Sequence, residues 1–354
     1  MLKSSYDRIF YLDLLRFISC LAVIMIHTCV NYVVINIGSL DFWIGNILDS
    51  LSRFGVPIFV MISGATLLDE NYYYSKKKNK KHIKKMIIFF LFWSIVYCSY
   101  FQVFKPLYHN MPLNFQEIIS KLVIGNFHLW YVPMLCGLYM ILPLLRLWIK
   151  KCNKKYIEYF IVLSFMFVFL LPQLSTIGSY YSPNFKYLNM IVESLNIKYI
   201  SGYTIYFILG WYLSNYDIKR TKTIYVLGIS SILIEIIMTY VLSIKNNIPT
   251  QLYDNMSVNV LLQSTMIFIY TKKHYKKIAD TKFLRNIILN ITNYSLGIYA
   301  LHVLYIDVIY AILRKINIID SYFSIPLVFI SSLLLSLATS FFIGKIHCLK
   351  KLVS

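Results

Sequence analysis

Arg16 and His27 lie eleven residues apart in one long apolar run that begins near Asp13. Ionisable side chains at membrane depth are costly, and they usually mark a site. Eleven residues are three helical turns plus about 20°, so both side chains project from one face of a helix, roughly 16 Å apart along its axis. That face carries a guanidinium at one depth and an imidazole at the other. The first is a fixed fork of hydrogen-bond donors, and the second exchanges a proton near neutral pH. Asp13, three residues before Arg16, shares its face. The alternative is a buried ion pair with a hydrogen-bonded core histidine.

Other polar groups fall inside apolar runs. Asp49 and Arg53 are four residues apart on a second stretch, either as a self-neutralising pair or as part of a substrate site. His128-Leu129-Trp130-Tyr131 opens a later run at the boundary where aromatic residues collect, so Trp130 and Tyr131 read as interface anchors and His128 as either structural or functional. His302, Asp307 and Glu235 lie in still later runs, and each alone is equally well explained by a satisfying neighbour. The basic run from Lys76 to Lys85 reads mainly as a topology signal and a patch for anionic lipid, with Lys84 and Lys85 nearest the membrane.

These residues need a scaffold, and composition defines it. A chain of 354 residues that is 58% hydrophobic and 14% charged cannot hide its apolar surface in a water-soluble domain, so lipid is its solvent. The formal charge of +20 falls in short clusters between apolar runs, which speaks for membrane topology and against a nucleic-acid partner. The six cysteines show no metal or redox spacing and read as small apolar side chains; no metal site is expected. The first run is too long for a signal peptide and lacks a small-residue cleavage pattern, so it is expected to stay attached.

Runs near the length that spans about 30 Å of hydrocarbon fall at 10–30, 45–68, 86–104, 128–149, 156–173, 199–214, 223–244, 257–271, 293–313 and 323–344. The sixth and eighth are short and dotted with polar residues. Of the 35 Lys and Arg residues, 26 fall on the side of the termini and 7 on the other, with Arg16 and Arg53 inside spans. This places both termini in the cytoplasm. The fold expected is an all-α bundle of about ten transmembrane helices forming one domain over residues 1–354. Three long outer segments, at 105–127, 174–198 and 245–256, are expected to fold over an outward-facing site. Pro133 and Pro143 suggest kinks in the fourth span.

Taken together, the first-span Arg and His, the stretches from Arg53 to Gly64 and His128 to Pro143, the run Tyr206-Phe207-Ile208-Leu209-Gly210-Trp211-Tyr212, and the segment Ser295 to His302 resemble the acyltransferase-3 family. The resemblance covers nearly the whole chain in order. It implies transfer of an acyl group, most commonly acetyl from cytoplasmic acetyl-CoA, to a hydroxyl of a surface polysaccharide or lipid-linked oligosaccharide. The family histidine falls on His27 as general base, and the family arginine falls on Arg16 at the donor; Lys84 and Lys85, by their place nearest the membrane, are read as further donor contacts at its phosphates. Asp13, Asp49, Arg53, His128, Trp130 and His302 are expected to support the site or bind acceptor, and Arg53 or His128 to steady the thioester oxygen.

No cysteine or serine stands beside a base in the patterns of covalent catalysis, so direct transfer is the simpler expectation. Some members carry arginines where the third span begins; this chain has Lys81, Lys84 and Lys85. Others append an extracellular hydrolase-like domain, and here the membrane part is expected to act alone or hand its acyl group to a separate protein. The Lys, Ile, Asn and Tyr bias fits a bacterium of low genomic G+C content, hence a plasma membrane location, with association between copies left open. The competing readings are a transporter or flippase for lipid-linked sugars and a polysaccharide polymerase. The first predicts internal symmetry that the sequence does not show.

Overall fold

The computed structural model describes residues 10–34, 36–247, 252, 254–318 and 320–353. Lys3 and Arg8, and part of the outer segment 245–256, lie outside the described residues. Among the described residues all regular structure is helical, and eight helices are long and apolar enough to cross a membrane. The protein is a polytopic all-α membrane protein.

The first third of the chain holds α1 (Phe10–Val33), α2 (Leu40–Ser52), α3 (Gly55–Leu67), α4 (Lys76–Cys98), α5 (Lys105–Tyr108) and α6 (Phe115–Ile124). The middle holds α7 (Tyr131–Lys151), α8 (Lys154–Ser164), α9 (Leu171–Ser179), α10 (Phe185–Ser194), α11 (Ile197–Ser201) and α12 (Thr204–Asn215). The last third holds α13 (Thr221–Asn246), α14 (Val258–His274), α15 (Lys276–Ala279), α16 (Lys282–Asn293), α17 (Ser295–Lys315) and α18 (Ser321–Lys345). Side-chain caps mark several starts. Ser39 accepts from the Phe42 amide, and Ser75 from that of Lys78, both at 3.1 Å, satisfying amides that have no intrahelical partner.

Hydropathy gives ten spans, but α12 has 12 residues and α14 has 17, and neither is among the eight. At 1.5 Å per residue α12 is about 18 Å long, too short for about 30 Å of hydrocarbon. It is a core element: every residue from Thr204 to Leu213 is buried. It crosses α3 with the backbones in contact. A methyl group at Gly64 would sit 1.7 Å from the Phe207 carbonyl oxygen, and one at Gly210 would sit 2.0 Å from that of Met61. Small residues permit such approach where no water drives helices together.

The second span is also not one rod. It runs from Leu40 to Leu67 and breaks at Arg53 and Phe54. Pro57 has no N–H to offer the Arg53 carbonyl, which loosens the turn. Gln263 on α14 donates to the Ser50 and Leu51 carbonyls just before the break, at 3.0 and 3.1 Å, as backbone polar groups at membrane depth require. At its other end, Arg146 donates to the Leu67 carbonyl and to those of Asp69 and Tyr72 at 3.1 and 3.2 Å. Pro106 and Pro172 each follow a π-helical turn, Ser99–Phe104 and Phe165–Leu170, where their missing amides leave the regular ladder open. Pro133 sits in the first turn of α7, where a missing amide is tolerated, while Pro143 lies inside the helix.

The helix ends expected on the basic side meet in space. Tyr11 near the start of α1 bonds Ser214 near the end of α12 at 2.7 Å and packs on Tyr275 just past α14. The segment after α18 turns back into the bundle: Gly297 donates its amide to Val353, and Trp93 its indole N–H to Leu352.

Candidate active site

His27 on α1, His302 on α17 and His128 in the 3-10 turn Phe127–Trp130 converge although the sequence separates them by more than a hundred residues each time. Their ring centroids are 5.1 Å apart for His27 and His302, 5.6 Å for His128 and His302, and 6.3 Å for His27 and His128. The turn that carries His128 is set by Gly125, whose φ of +81° suits glycine, and by Asn126, which accepts the Phe127 amide at 2.8 Å.

His128 and His302 are fully enclosed, whereas His27 is partly exposed. The His302 Nδ1 lies 3.1 Å from the Ile298 carbonyl. A carbonyl only accepts, so Nδ1 carries the proton and Nε2 keeps its lone pair. Among the described residues four buried imidazole nitrogens have no hydrogen-bond partner: Nδ1 of His27, both nitrogens of His128, and Nε2 of His302. Buried polar nitrogens normally find partners, and orphans gathered in one place point to a reactive centre. Among the described residues no group of three or more His, Cys, Asp or Glu side chains is arranged to hold a metal ion.

Aromatic rings enclose the cluster. Tyr97 meets His128 edge-on at 4.6 Å and donates its hydroxyl to the Ala300 carbonyl at 2.7 Å. Phe127 covers His27 at 5.3 Å, so the outer segment 105–127 does reach the site at its last residue. Tyr299 packs against His128 and His302 at 5.7 and 6.1 Å and donates to the His128 carbonyl at 2.5 Å.

Tyr299 is a shared wall. With Tyr131, 5.8 Å from it, it also lines a cavity of about 200 Å³ that contains Arg16, Ser63, Met86 and Tyr139. Arg16 keeps 35% of its side chain exposed inside the bundle while touching the buried Asp13 at 3.4 Å. The guanidinium and the imidazoles thus flank one layer of tyrosine rings. On the side of the cluster away from Arg16, Asn31 lies one turn beyond His27 on the same face and lines a polar cleft of about 340 Å³ with Tyr32, Asp41, Tyr310, Arg314 and Asp320.

The remaining expected residues divide. Asp49 is fully buried and ion-paired with Arg53 at the break in the second span, and Arg53 is within the electrostatic reach of His27. Glu235 lies beside Ser50 and Asn259 in the field of the same pair. Lys85 is half-buried near Lys351, on the face of α4 that leads to Phe89 and so to Tyr299. Lys84 points away and is exposed, outside the site. Trp130 packs on Tyr203 at 5.5 Å and does not reach the histidines. Asp307 turns outward to Lys105 at 2.8 Å. Tyr97, Phe127 and Tyr299 escape a reading based on charge alone. The signal for Tyr97 is the stripe Phe89, Trp93, Tyr97 and Phe101 at intervals of four, whose successive rings pack 6.3, 6.5 and 6.0 Å apart.

A family model described as an acyltransferase domain, that of the acyltransferase-3 family, matches residues 9–345. The chain belongs to the acyltransferase-3 family. No curated protein and no solved structure matches it. As an acyltransferase-3 member it is a multi-pass membrane acyltransferase.

Proposed function

We propose that this acyltransferase moves an acetyl group from cytoplasmic acetyl-CoA to a hydroxyl of a surface polysaccharide or its lipid-linked precursor, in a bacterial plasma membrane. The observation that carries this reading is the shared wall of Tyr131 and Tyr299, with a guanidinium cavity on one side and an imidazole cluster on the other. Arg16 holds a phosphate or the carbonyl of the donor, whose acyl end reaches the tyrosines. The acceptor enters by the polar cleft at Asn31. Asp13 and Asp49 hold the two arginines in place.

His27 removes the hydroxyl proton as the oxygen attacks the thioester carbonyl; the carbon–sulfur bond then breaks, and the imidazolium returns the proton to the departing thiolate. No net proton is consumed. Developing charge on the carbonyl oxygen needs a preorganised donor. His128 suits that role better than Arg53, because both its ring nitrogens lack partners while Asp49 engages the arginine.

Purified protein given acetyl-CoA and an envelope glycan fraction releases free thiol, and His27→Ala lowers that rate by about 10²-fold or more while the variant keeps its melting temperature. Arg16→Lys raises the acetyl-CoA KM and leaves the acceptor KM unchanged, since lysine loses the bidentate fork. Undiminished thiol release from His27→Ala overturns the assignment. Heat protection by nucleotide sugars and not by acetyl-CoA favours a polymerase.

A further inference from the structure

A second cavity, larger than the one at Arg16, opens elsewhere on the bundle. A groove of about 730 Å³ opens on the opposite side of α1, where Leu14 and Ile18 line it. Each is two residues from Arg16 and so projects about 160° away from it. Phe54, Ile229, Met266 and Ile267 extend its apolar part, and Tyr225 and Tyr270 are among the side chains that add hydroxyls. His274 and Lys277 stand at one end.

Three features of this groove point to the same ligand. Its walls are side chains of α1, α13 and α14 that carry no charge until the basic end is reached. Its depth is one leaflet: Met266 to His274 is eight residues of α14, about 12 Å, against about 15 Å for half of the hydrocarbon core. Lys277 lines its basic end, and the segment that follows is cationic and exposed at Lys276, Lys282 and Arg285, with Asp280 the one carboxylate from 274 to 293. Helix α16 continues this apron. It buries Ile288 and Ile291 against the bundle while Phe283 is 73% exposed, as in a helix lying at a membrane surface. A neutral chain needs no such collar, and a soluble anion needs no apolar slot.

We propose that this groove binds one anionic phospholipid of the leaflet on the basic side, with an acyl chain along Ile18, Phe54, Ile229 and Met266 and the phosphate at His274 and Lys277. The site is separate from the Lys76–Lys85 run and does not depend on which acyl group the protein transfers. Its occupant braces the back of the helix that carries Arg16 and His27.

The test is native mass spectrometry of the full chain in detergent, titrated with phosphatidylglycerol or phosphatidylcholine of identical acyl chains. The wild type retains one phosphatidylglycerol in preference to phosphatidylcholine by about fivefold or more, the scale of one or two basic contacts. Lys277→Glu, at an exposed position, brings the two lipids to parity. Ile229→Trp, which fills the apolar part from a lipid-facing position, lowers retention of both. Inorganic phosphate does not displace the lipid. Equal retention of the two lipids by the wild type, an unchanged preference in Lys277→Glu, unchanged retention in Ile229→Trp, or displacement by phosphate overturns the proposal.

Discussion

Among individual residues, His302 is the one whose role changes most between sequence and structure. In the sequence it is a lone imidazole in an apolar run. In the fold its Nδ1 is committed to the Ile298 carbonyl, and its Nε2 faces the site 5.1 Å, ring to ring, from His27. Neither His27 Nδ1 nor His302 Nε2 has a partner among the described residues, so a ring rotation that let Nε2 accept a hydrogen bond from the Nδ1–H of His27 would leave the other nitrogen of His27 as the base. His302 is then a positioning residue. His302→Asn is expected to lower kcat for thiol release by about 10²-fold, the cost of a misplaced base, with the acetyl-CoA KM and the melting temperature unchanged. A fall in melting temperature with kcat intact would return His302 to a packing role. Lys84 and Lys85 make the complementary point. Adjacent in sequence, they diverge by about 100° on α4, and only Lys85 turns toward the bundle.

At the scale of elements, hydropathy finds the apolar runs because lipid imposes a minimum length on each exposed helix. It has less to say about helices that protein encloses. α12 passes as a weak span in the sequence and proves to be a short buried rod whose glycines admit the backbone of α3. Gly210→Val would force a branched side chain against the Met61 carbonyl, 2.0 Å from where its first carbon must sit. The expected cost is about 3 kcal/mol or more, read as a large loss of melting temperature and folded yield in detergent. A variant that melts with the wild type would show that the two helices do not rely on this contact. The break at Arg53 was equally hidden. Pro57 signals a weakened turn, but the acceptance of that break rests on Gln263, more than two hundred residues away.

For the whole molecule, the asymmetry of basic residues makes a testable statement about sidedness. Cys348, just after α18, is exposed, while Cys20, Cys29, Cys98 and Cys136 are buried. With the basic side in the cytoplasm, a membrane-impermeant maleimide labels Cys348 in inverted vesicles and not in right-side-out ones. The reverse result would turn the bundle over and place Arg16, rather than His27, nearer the outside. The meeting of Tyr11 with Ser214 and Tyr275 shows that the helix ends grouped by charge also lie together in space.

The order of residues was enough to read the lipid solvent, most of the spans, the clustering of basic ends, and the placing of Arg16 and His27 on one helical face. Each of these is a local property: a run length, a count, or a helical period. It did not determine that His128 and His302 would join His27, that Tyr299 would divide a donor cavity from an imidazole cluster, or that the far side of α1 would carry a leaflet-deep groove. Those are contacts between distant segments, fixed by which faces the helices bury against one another, and no periodicity within a single helix encodes them.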